Sequence, residues 1–554
     1  MKRTMKRALC LLLTAVMAAG LLAGCGGSGD GGNGAVSANG SGASGDGGSG
    51  SGGKEVVINL GMNSGWTDLV PYNQATGGNY SILVLTLLYD RLFYVDADGN
   101  ICPRAAESWE ISEDKLSCVF HLNPGAKWHD GEPVTAADYV FAVNMITDPD
   151  CGVTSKSHYY ILTGTDTSGT ADGTPLGVEA LDDYTVKYTF DEPISQDVTF
   201  TLYLQAYMPL PEHLLRDVAP ADYLSQDLWN HPIGSGPMKF ESTIAGSELV
   251  LTANEDYYLG APKFDKMRLQ VMNADSSTAA LISGDLDLIY PAPTKDNFKA
   301  MEAAGSLSCY YMPYASSQRC IYINNHVITD SRIRRAMDMA IDRESLAAML
   351  EGTPIETPVT LASKYLDPDI TYTYDPAAAK ALLDEAIADG AYDPSQVITL
   401  VTGSSSEGEN ICSLVQQNLI AIGMNVEVQK MEAATMFAGF YDDTVTMGTV
   451  TKGSNLNPMY MRTSLTNKRT SYMQWPTDLW DDIAMEFMAA KDEDEEMAVM
   501  KKFQETWLEE VPSLFMVATY QNYAYSPRLG DGESLGIEYA DLGSLPVWLW
   551  NVKS

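Results

Sequence analysis

The sequence predicts an α/β protein of more than one lobe, and three observations carry that reading. Runs of strand length at residues 56–60, 116–122 and 186–190 alternate along the chain with stretches of helical spacing. The 554 residues are 45% hydrophobic, enough for large cores and two to four domains. Beyond the first 24 residues no apolar run approaches the length that a bilayer crossing needs.

The start of the chain reads as an export signal. Lys2, Arg3, Lys6 and Arg7 precede an apolar stretch over 8–23 that is short for a membrane span and right for a signal-peptide core. It ends in Leu22-Ala23-Gly24-Cys25, which resembles a bacterial lipobox, so residues 1–24 are expected to be removed and Cys25 lipidated as the new N-terminus. From there to Gly53 the chain is Gly, Ser, Asp, Asn and Ala with one large aliphatic, Val36. Such a segment cannot bury enough surface to offset its ordering entropy. Residues 25–53 are therefore a lipidated Cys and a flexible tether with a reach of roughly 30 Å.

In the body, residues 81–88 suit an apolar helix, and Thr135 with Asp138 suits the cap and first turn of a helix reaching Ile146. Asp330 can cap a helix whose Ile333, Ala336, Met337, Ala340 and Ile341 fall on one stripe. Asp375-Pro376 opens another over 377–386. A helix over 410–422 is expected to stop at Gly423 before a strand at 424–428. The acidic run 492–496 reads as the solvated face of a long helix rather than a metal site.

A formal charge of −38 makes nucleic acid and anionic membrane surfaces poor partners for the body. Cys102, Cys118, Cys151, Cys309, Cys320 and Cys412 show no CxxC spacing, and no two histidines share ligand spacing, so no metal or other cofactor is expected. Cys309 and Cys320 would face one another if the residues between them form a hairpin; buried free thiols are the alternative. Gly532-Glu533-Ser534-Leu535-Gly536 matches a hydrolase elbow, but none of the six histidines follows Ser534 to take its proton, so no catalytic residue is assigned.

One ordered set of motifs goes further. It runs Tyr89-Asp90-Arg91-Leu92-Phe93, Pro103-Arg104-Ala105-Ala106-Glu107-Ser108-Trp109, then Lys127-Trp128-His129-Asp130-Gly131-Glu132-Pro133-Val134-Thr135. Ile233-Gly234-Ser235-Gly236-Pro237, Ser283-Gly284-Asp285-Leu286-Asp287-Leu288 and Ile333-Arg334-Arg335-Ala336-Met337 follow in order. Together they resemble the peptide/nickel-type, family 5 solute-binding proteins of ABC importers over roughly residues 56–550.

The resemblance implies a two-lobed periplasmic-binding-protein type II fold with an extra subdomain and a hinge. Lobe 1 would be 54–90, 196–325 and 516–554, its subdomain 91–195, and lobe 2 326–515. It further implies a monomeric, extracytoplasmic binding protein, held to the cell membrane by Cys25, that delivers a peptide or peptide-like solute to a membrane permease. His129-Asp130-Gly131 reads as turn chemistry, 233–237 as a tight turn rather than a phosphate cradle, and Arg334 with Arg335 as packing and ion-pair elements.

Strand ends offer Ser64, Trp66 and Tyr290 as solute contacts; the resemblance adds Tyr322 and Asn324 at a crossing between lobes and the segment with Lys452, Ser454, Asn455 and Asn457, and Tyr472 and Trp475 could provide stacking faces. Peptide binders of this family commonly carry an acid before the Pro in that segment, where the peptide amine lands. Here Pro458 follows Asn457, and no Asp or Glu occurs from Thr444 to Lys468. A buried ammonium without a counter-charge costs several kcal/mol, which points to a solute without a free amine, such as an anionic conjugate or oligosaccharide. The other option is that Asp442 or Asp443 supplies the carboxylate.

Overall fold

The computed structural model describes residues 55–553 apart from 67, 74–77, 96–99, 201–202, 313–314, 316, 372, 404, 454–460, 462–464, 466–471, 474, 531–534 and 536–544. The leader, Cys25 and the tether lie outside the described residues, as do Ser454, Asn455, Asn457 and Ser534.

Strand β1 (Val57–Met62) opens the first sheet. The chain leaves it through the helix Gly78–Leu88 and the pair β2 (Phe93–Val95) and β3 (Ile101–Pro103). It then builds a four-stranded antiparallel sheet from β4 (Ala106–Ile111), β5 (Ser117–Leu122), β6 (Val178–Asp182) and β7 (Thr185–Thr189). It returns as β8 (Met238–Ile244), β9 (Glu248–Ala253), β10 (Lys266–Val271) and β11 (Leu288–Tyr290), giving a five-stranded sheet ordered β11-β1-β10-β9-β8. After β12 (Ser308–Tyr310) a six-stranded sheet begins with β13 (Ser317–Ile323). It adds β14 (Thr353–Pro354), β15 (Val397–Thr402), β16 (Asn425–Lys430) and β17 (Met447–Gly453), and closes with β18 (Ser513–Thr519), in the order β14-β18-β13-β17-β15-β16. The last strand, β19 (Tyr523–Tyr525), lies back beside β12.

The chain thus passes between the two large sheets twice, and the two passages run side by side. Tyr310 pairs with Tyr523 on one side of the gap and Ser317 with Thr519 on the other, with the Met312 amide donating to Asn522 Oδ1 at 3.1 Å between them. Divisions placed after 325 and after 515 cut the six-stranded sheet. Sheet membership puts the crossings at 311–316 and 520–522 instead.

Period-two alternation gives the six-stranded sheet a core on each face. Ile321 and Ile323 of β13 join Met337, Leu400 and Val415 on one side, while Cys320 and Tyr322 join Phe440, Phe487 and Trp507 on the other. The five- and four-stranded sheets share a third core running from Ile58 to Trp550.

The expected caps form. Asp138 accepts from the Thr135 amide at 2.8 Å, Asp330 from the Arg332 amide at 2.8 Å, and Asp375 from the amides of Ala377 and Ala378. One helix start differs from expectation. The helix expected from 410 spans Ser406–Ala421, because Ser405 caps it through the Gly408 amide. The acidic run is solvated, as expected, and lies at a helix start: Asp492 caps Glu493–Glu510 and the next four acids fill its first turn, where the N-terminal dipole favours negative charge.

The family-like motifs do structural work. Asp90 and Arg104 form a buried ion pair, with Tyr257 and Tyr258 donating to the carboxylate and the guanidinium lying 4.9 Å from the centre of the Trp548 ring. His129 accepts from the Gly234 amide, while the amides of Ser235 and Gly236 donate to Leu88 O at 3.0 and 2.8 Å, so the 233–237 turn is spent on the protein itself. Arg334 is buried, with Glu510 and three backbone carbonyls as its acceptors.

Two further contacts join distant elements. Arg528 pairs with Asp287, whose other hydrogen bond comes from the Asn59 amide of β1. Lys115, in the β4–β5 turn, donates to Met488 O and Ala490 O at the end of the helix Leu479–Ala489. No helix among the described residues is long and apolar enough to cross a membrane.

Candidate functional site

In open α/β sheets the accessible polar groups gather outside the carboxyl ends of parallel strands, and a crevice opens where neighbouring connections depart to opposite faces. Both large sheets contain such an edge.

In the five-stranded sheet it lies between β1 and β11, which run parallel and side by side. The Asn63 amide donates to Tyr290 O at 3.4 Å, bringing the start of the Ser64-Gly65-Trp66 segment next to Tyr290. Ser64 is exposed and Trp66 half-buried against the core, so both present surface at this edge. Tyr290 itself is buried, with its ring edge-on to Tyr80 at 5.9 Å.

In the six-stranded sheet the edge lies between β15 and β17. From β15 the chain crosses one face through Ser406–Ala421 to reach β16, then returns through Ala433–Tyr441 on the other face to enter β17 on the opposite side of β15. The departure of the two connections to opposite faces opens a pocket of about 220 Å³ at the strand ends. Arg319, Thr402, Glu407 and Thr451 are among its polar lining, and Ile411 and Met436 among its apolar residues.

Local sequence explains the pocket's shape. A Cβ on Gly408 would collide with Thr402 Oγ1, so glycine lets the first helical turn settle onto the end of β15. Arg319 lies opposite Thr451 in the β13–β17 ladder. Its Nε donates to Glu407 at 2.6 Å and its Nη1 to Ser317 Oγ at 2.5 Å, and the side chain is only 15% exposed against 46% for Glu407. A largely buried guanidinium therefore lines the pocket, with a half-exposed carboxylate on it.

Of the described residues expected in lobe 2, Lys452 is next to this pocket, following Thr451 in β17. Burial holds its ammonium below the usual lysine range, with Cys320 the second influence. Tyr322 is buried against Phe440, and the fully buried Asn324 donates to Asp443 at 2.9 Å while accepting from the His326 amide. Trp475 is buried against Trp480 and under Arg334. Tyr472 lies against Phe437 and Tyr441 in tilted ring contacts at 4.6 and 5.2 Å. Tyr322, Asn324 and Trp475 are thus engaged in packing, while Tyr472 keeps an exposed face.

Cys309 and Cys320 are free, because they do not lie on a hairpin: Cys309 is in β12 beside β19, and Cys320 is in β13 between β17 and β18. Burial pushes the Cys320 thiol up to about 12, and it donates to Val450 O. Among the described residues no His, Cys, Asp and Glu group could hold a metal ion.

Arg319, Thr402, Glu407 and Gly408 were not legible as site residues. Their signal is an apolar strand, 397–401, running into Thr402-Gly403-Ser404-Ser405, a glycine turn and a cap at a strand's carboxyl end. Placing the helix start at 410 hides it.

The family model for bacterial extracellular solute-binding proteins, family 5, matches residues 100–471. A Brucella ovis protein named for peptide binding in an ABC transporter is 30% identical over 370 residues, covering 65% of this chain and 66% of its own length. The glutathione-binding protein GsiB of Pectobacterium atrosepticum is 27% identical over 390 residues, 69% of this chain and 70% of that one. The solved structure of the oligopeptide-binding protein AppA from Bacillus subtilis with a nonapeptide superposes with a TM-score of 0.73 at 22% identity, over 90% of this chain and all of that one. The alignment thus spans about two thirds of the first of these relatives, and the fold is shared over 90% of this chain.

Proposed function

Because the chain belongs to the bacterial extracellular solute-binding proteins of family 5, we propose that it captures a peptide or peptide-like solute and presents it to an ABC permease, without chemistry on the solute. The observation that carries this reading is the pair of parallel strand edges at the carboxyl ends of β1–β11 and β15–β17, the second with a pocket, on separate sheets joined by two adjacent crossings. Such an arrangement can bend at the crossings, and a solute touching both edges would favour the closed state by its differential affinity. Ser64 and Trp66 on one side and Lys452 on the other are the candidate contacts; the segment through Asn455 and Asn457 belongs to the same reading. Cys25 would carry the lipid, with 26–53 as tether and the body a monomer outside the cytoplasm. The absence of a histidine after Ser534 supports a binding role over hydrolysis.

Native mass spectrometry of protein purified without denaturation tests this directly. The expected result is a co-purifying mass lost on unfolding, together with solute uptake that fails when the protein is deleted. Retention of no solute and unchanged uptake would overturn it.

A second reading, a solute without a free amine, is favoured by the lack of any acid over 444–468 and by the engagement of Asp443 with Asn324. Loss of unmodified di- to pentapeptide binding in Asp442→Asn or Asp443→Asn would restore the ordinary peptide amine.

A further inference from the structure

The pocket between β15 and β17 holds a cation that is already answered by an acid, and the two differ in how freely they can move. Arg319 rises from the middle of a three-strand ladder, flanked by β17 and β18, and its second donor is fixed on Ser317. Glu407 belongs to the first turn of a helix and is half-exposed, so its carboxylate can rotate into water at small cost. The pocket's volume, about 220 Å³, is below the roughly 300–1,000 Å³ of a site that swallows a whole drug-sized ligand. It suits one end group of a larger solute.

The remaining lining is matched to an end group with an apolar stem. Thr451 is the exposed hydroxyl of the lining, while Thr402 is buried with its hydroxyl accepting from Thr449; Ile411, Met431 and Met436 supply apolar surface, the thioethers adapting to shape. On a chain of net charge −38 an anion is not held by the overall field, so a dedicated guanidinium is the feature that would make an anionic group welcome here.

We propose that this pocket takes a carboxylate-bearing end group of the solute, which replaces Glu407 on Arg319 while Glu407 swings into water. This rests on the binding-protein reading above and narrows its solute class: one end is a carboxylate on a short apolar stem. Glu407 is then a placeholder that keeps Arg319 paired in the empty protein and sets a threshold that weak anions do not pass. Exchange of one carboxylate for another conserves the pair's charge, so the guanidinium stays charge-paired throughout.

The test uses the full mature chain as wild type, R319Q, R319K and E407Q. The probes are N-acetyl tripeptides with a free C-terminal carboxylate, the same peptides amidated, and glutarate, read by calorimetry and thermal shift. Carboxylate probes should bind wild type, bind E407Q three- to tenfold more tightly, and lose tenfold or more in R319Q with partial recovery in R319K. The amidated set should be weaker by a comparable factor. The tighter binding by E407Q is a gain that misfolding cannot produce, so a folding failure of R319Q leaves the proposal exposed. Equal binding of free and amidated peptides, no effect of E407Q, or no response to any carboxylate probe would overturn the carboxylate site. Each of these leaves the binding-protein reading standing if a co-purifying solute and uptake are found; loss of both of those would sink that reading instead.

Discussion

His129 and Gly234 are 105 residues apart in the chain, yet the Nδ1 of one accepts the amide of the other at 3.1 Å. The opposite ring nitrogen donates to Gly236 O at 3.0 Å, so the imidazole is held neutral in one tautomer. Burial pushes its pKa down from 6.5 to about 4. Between those values the unfolded chain binds more protons than the folded one, so this contribution is intact above pH 6.5 and is lost as pH falls toward 4. Its size is about 2 kcal/mol after discounting for partial exposure. Urea unfolding of wild type and His129→Asn at pH 7 and pH 4.5 should show the steeper loss in wild type; parallel losses would refute the assignment.

Backbone crowding makes Gly234→Ala costly. A Cβ there would run into Leu88 O, a backbone atom that cannot move aside without shifting the end of the helix Gly78–Leu88. We expect about 2–4 kcal/mol of destabilisation, read as a lower urea midpoint at unchanged m-value.

At Gly246 the same substitution meets no atom, but the backbone has φ of +68°. Gly246→Ala should therefore cost only about 1 kcal/mol, from the left-handed conformation alone. A larger loss at this position than at Gly234 would show that conformation rather than crowding dominates.

Lys115 spans two bodies, since its turn belongs to the four-stranded sheet and its acceptors end a helix packed on the six-stranded one. A cation at a helix C-terminus also meets the negative end of the dipole. Lys115→Met keeps the apolar stem and removes both hydrogen bonds. The expected result is a larger radius of gyration by X-ray scattering and roughly five- to tenfold weaker solute binding, with unchanged circular dichroism. An unchanged radius and affinity would show that the contact does not hold the bodies together.

Among the described residues the six cysteines of the body form no disulfide. Reducing agent should leave the melting temperature unchanged, and thiol titration of the unfolded mature chain with Cys25 modified should count all six. A rise of the unfolding midpoint on oxidation would contradict this.

Much of the fold was legible because its signals are local. The caps at Asp138, Asp330 and Asp375 need only neighbouring amides, and the stripe Ile333, Ala336, Met337 and Ala340 follows from helical periodicity. The site was less legible because it depends on strand order. Nothing near Arg319 in the sequence announces that β17 will lie on one side of it and β18 on the other, or that Glu407 will reach it from 88 residues away. Aromatic residues such as Tyr322 and Trp475 look alike in sequence whether they face a ligand or a core, and both went to the core.

The two adjacent crossings have a consequence for how the chain is made. Residues 317–519 begin and end at neighbouring strands, so that segment can complete its own two cores while later residues are still being synthesised. The first sheet cannot. Ile58 shares a core with Trp548 and Trp550, which emerge almost five hundred residues later. A nascent chain therefore lacks part of this first core until its last residues have been made.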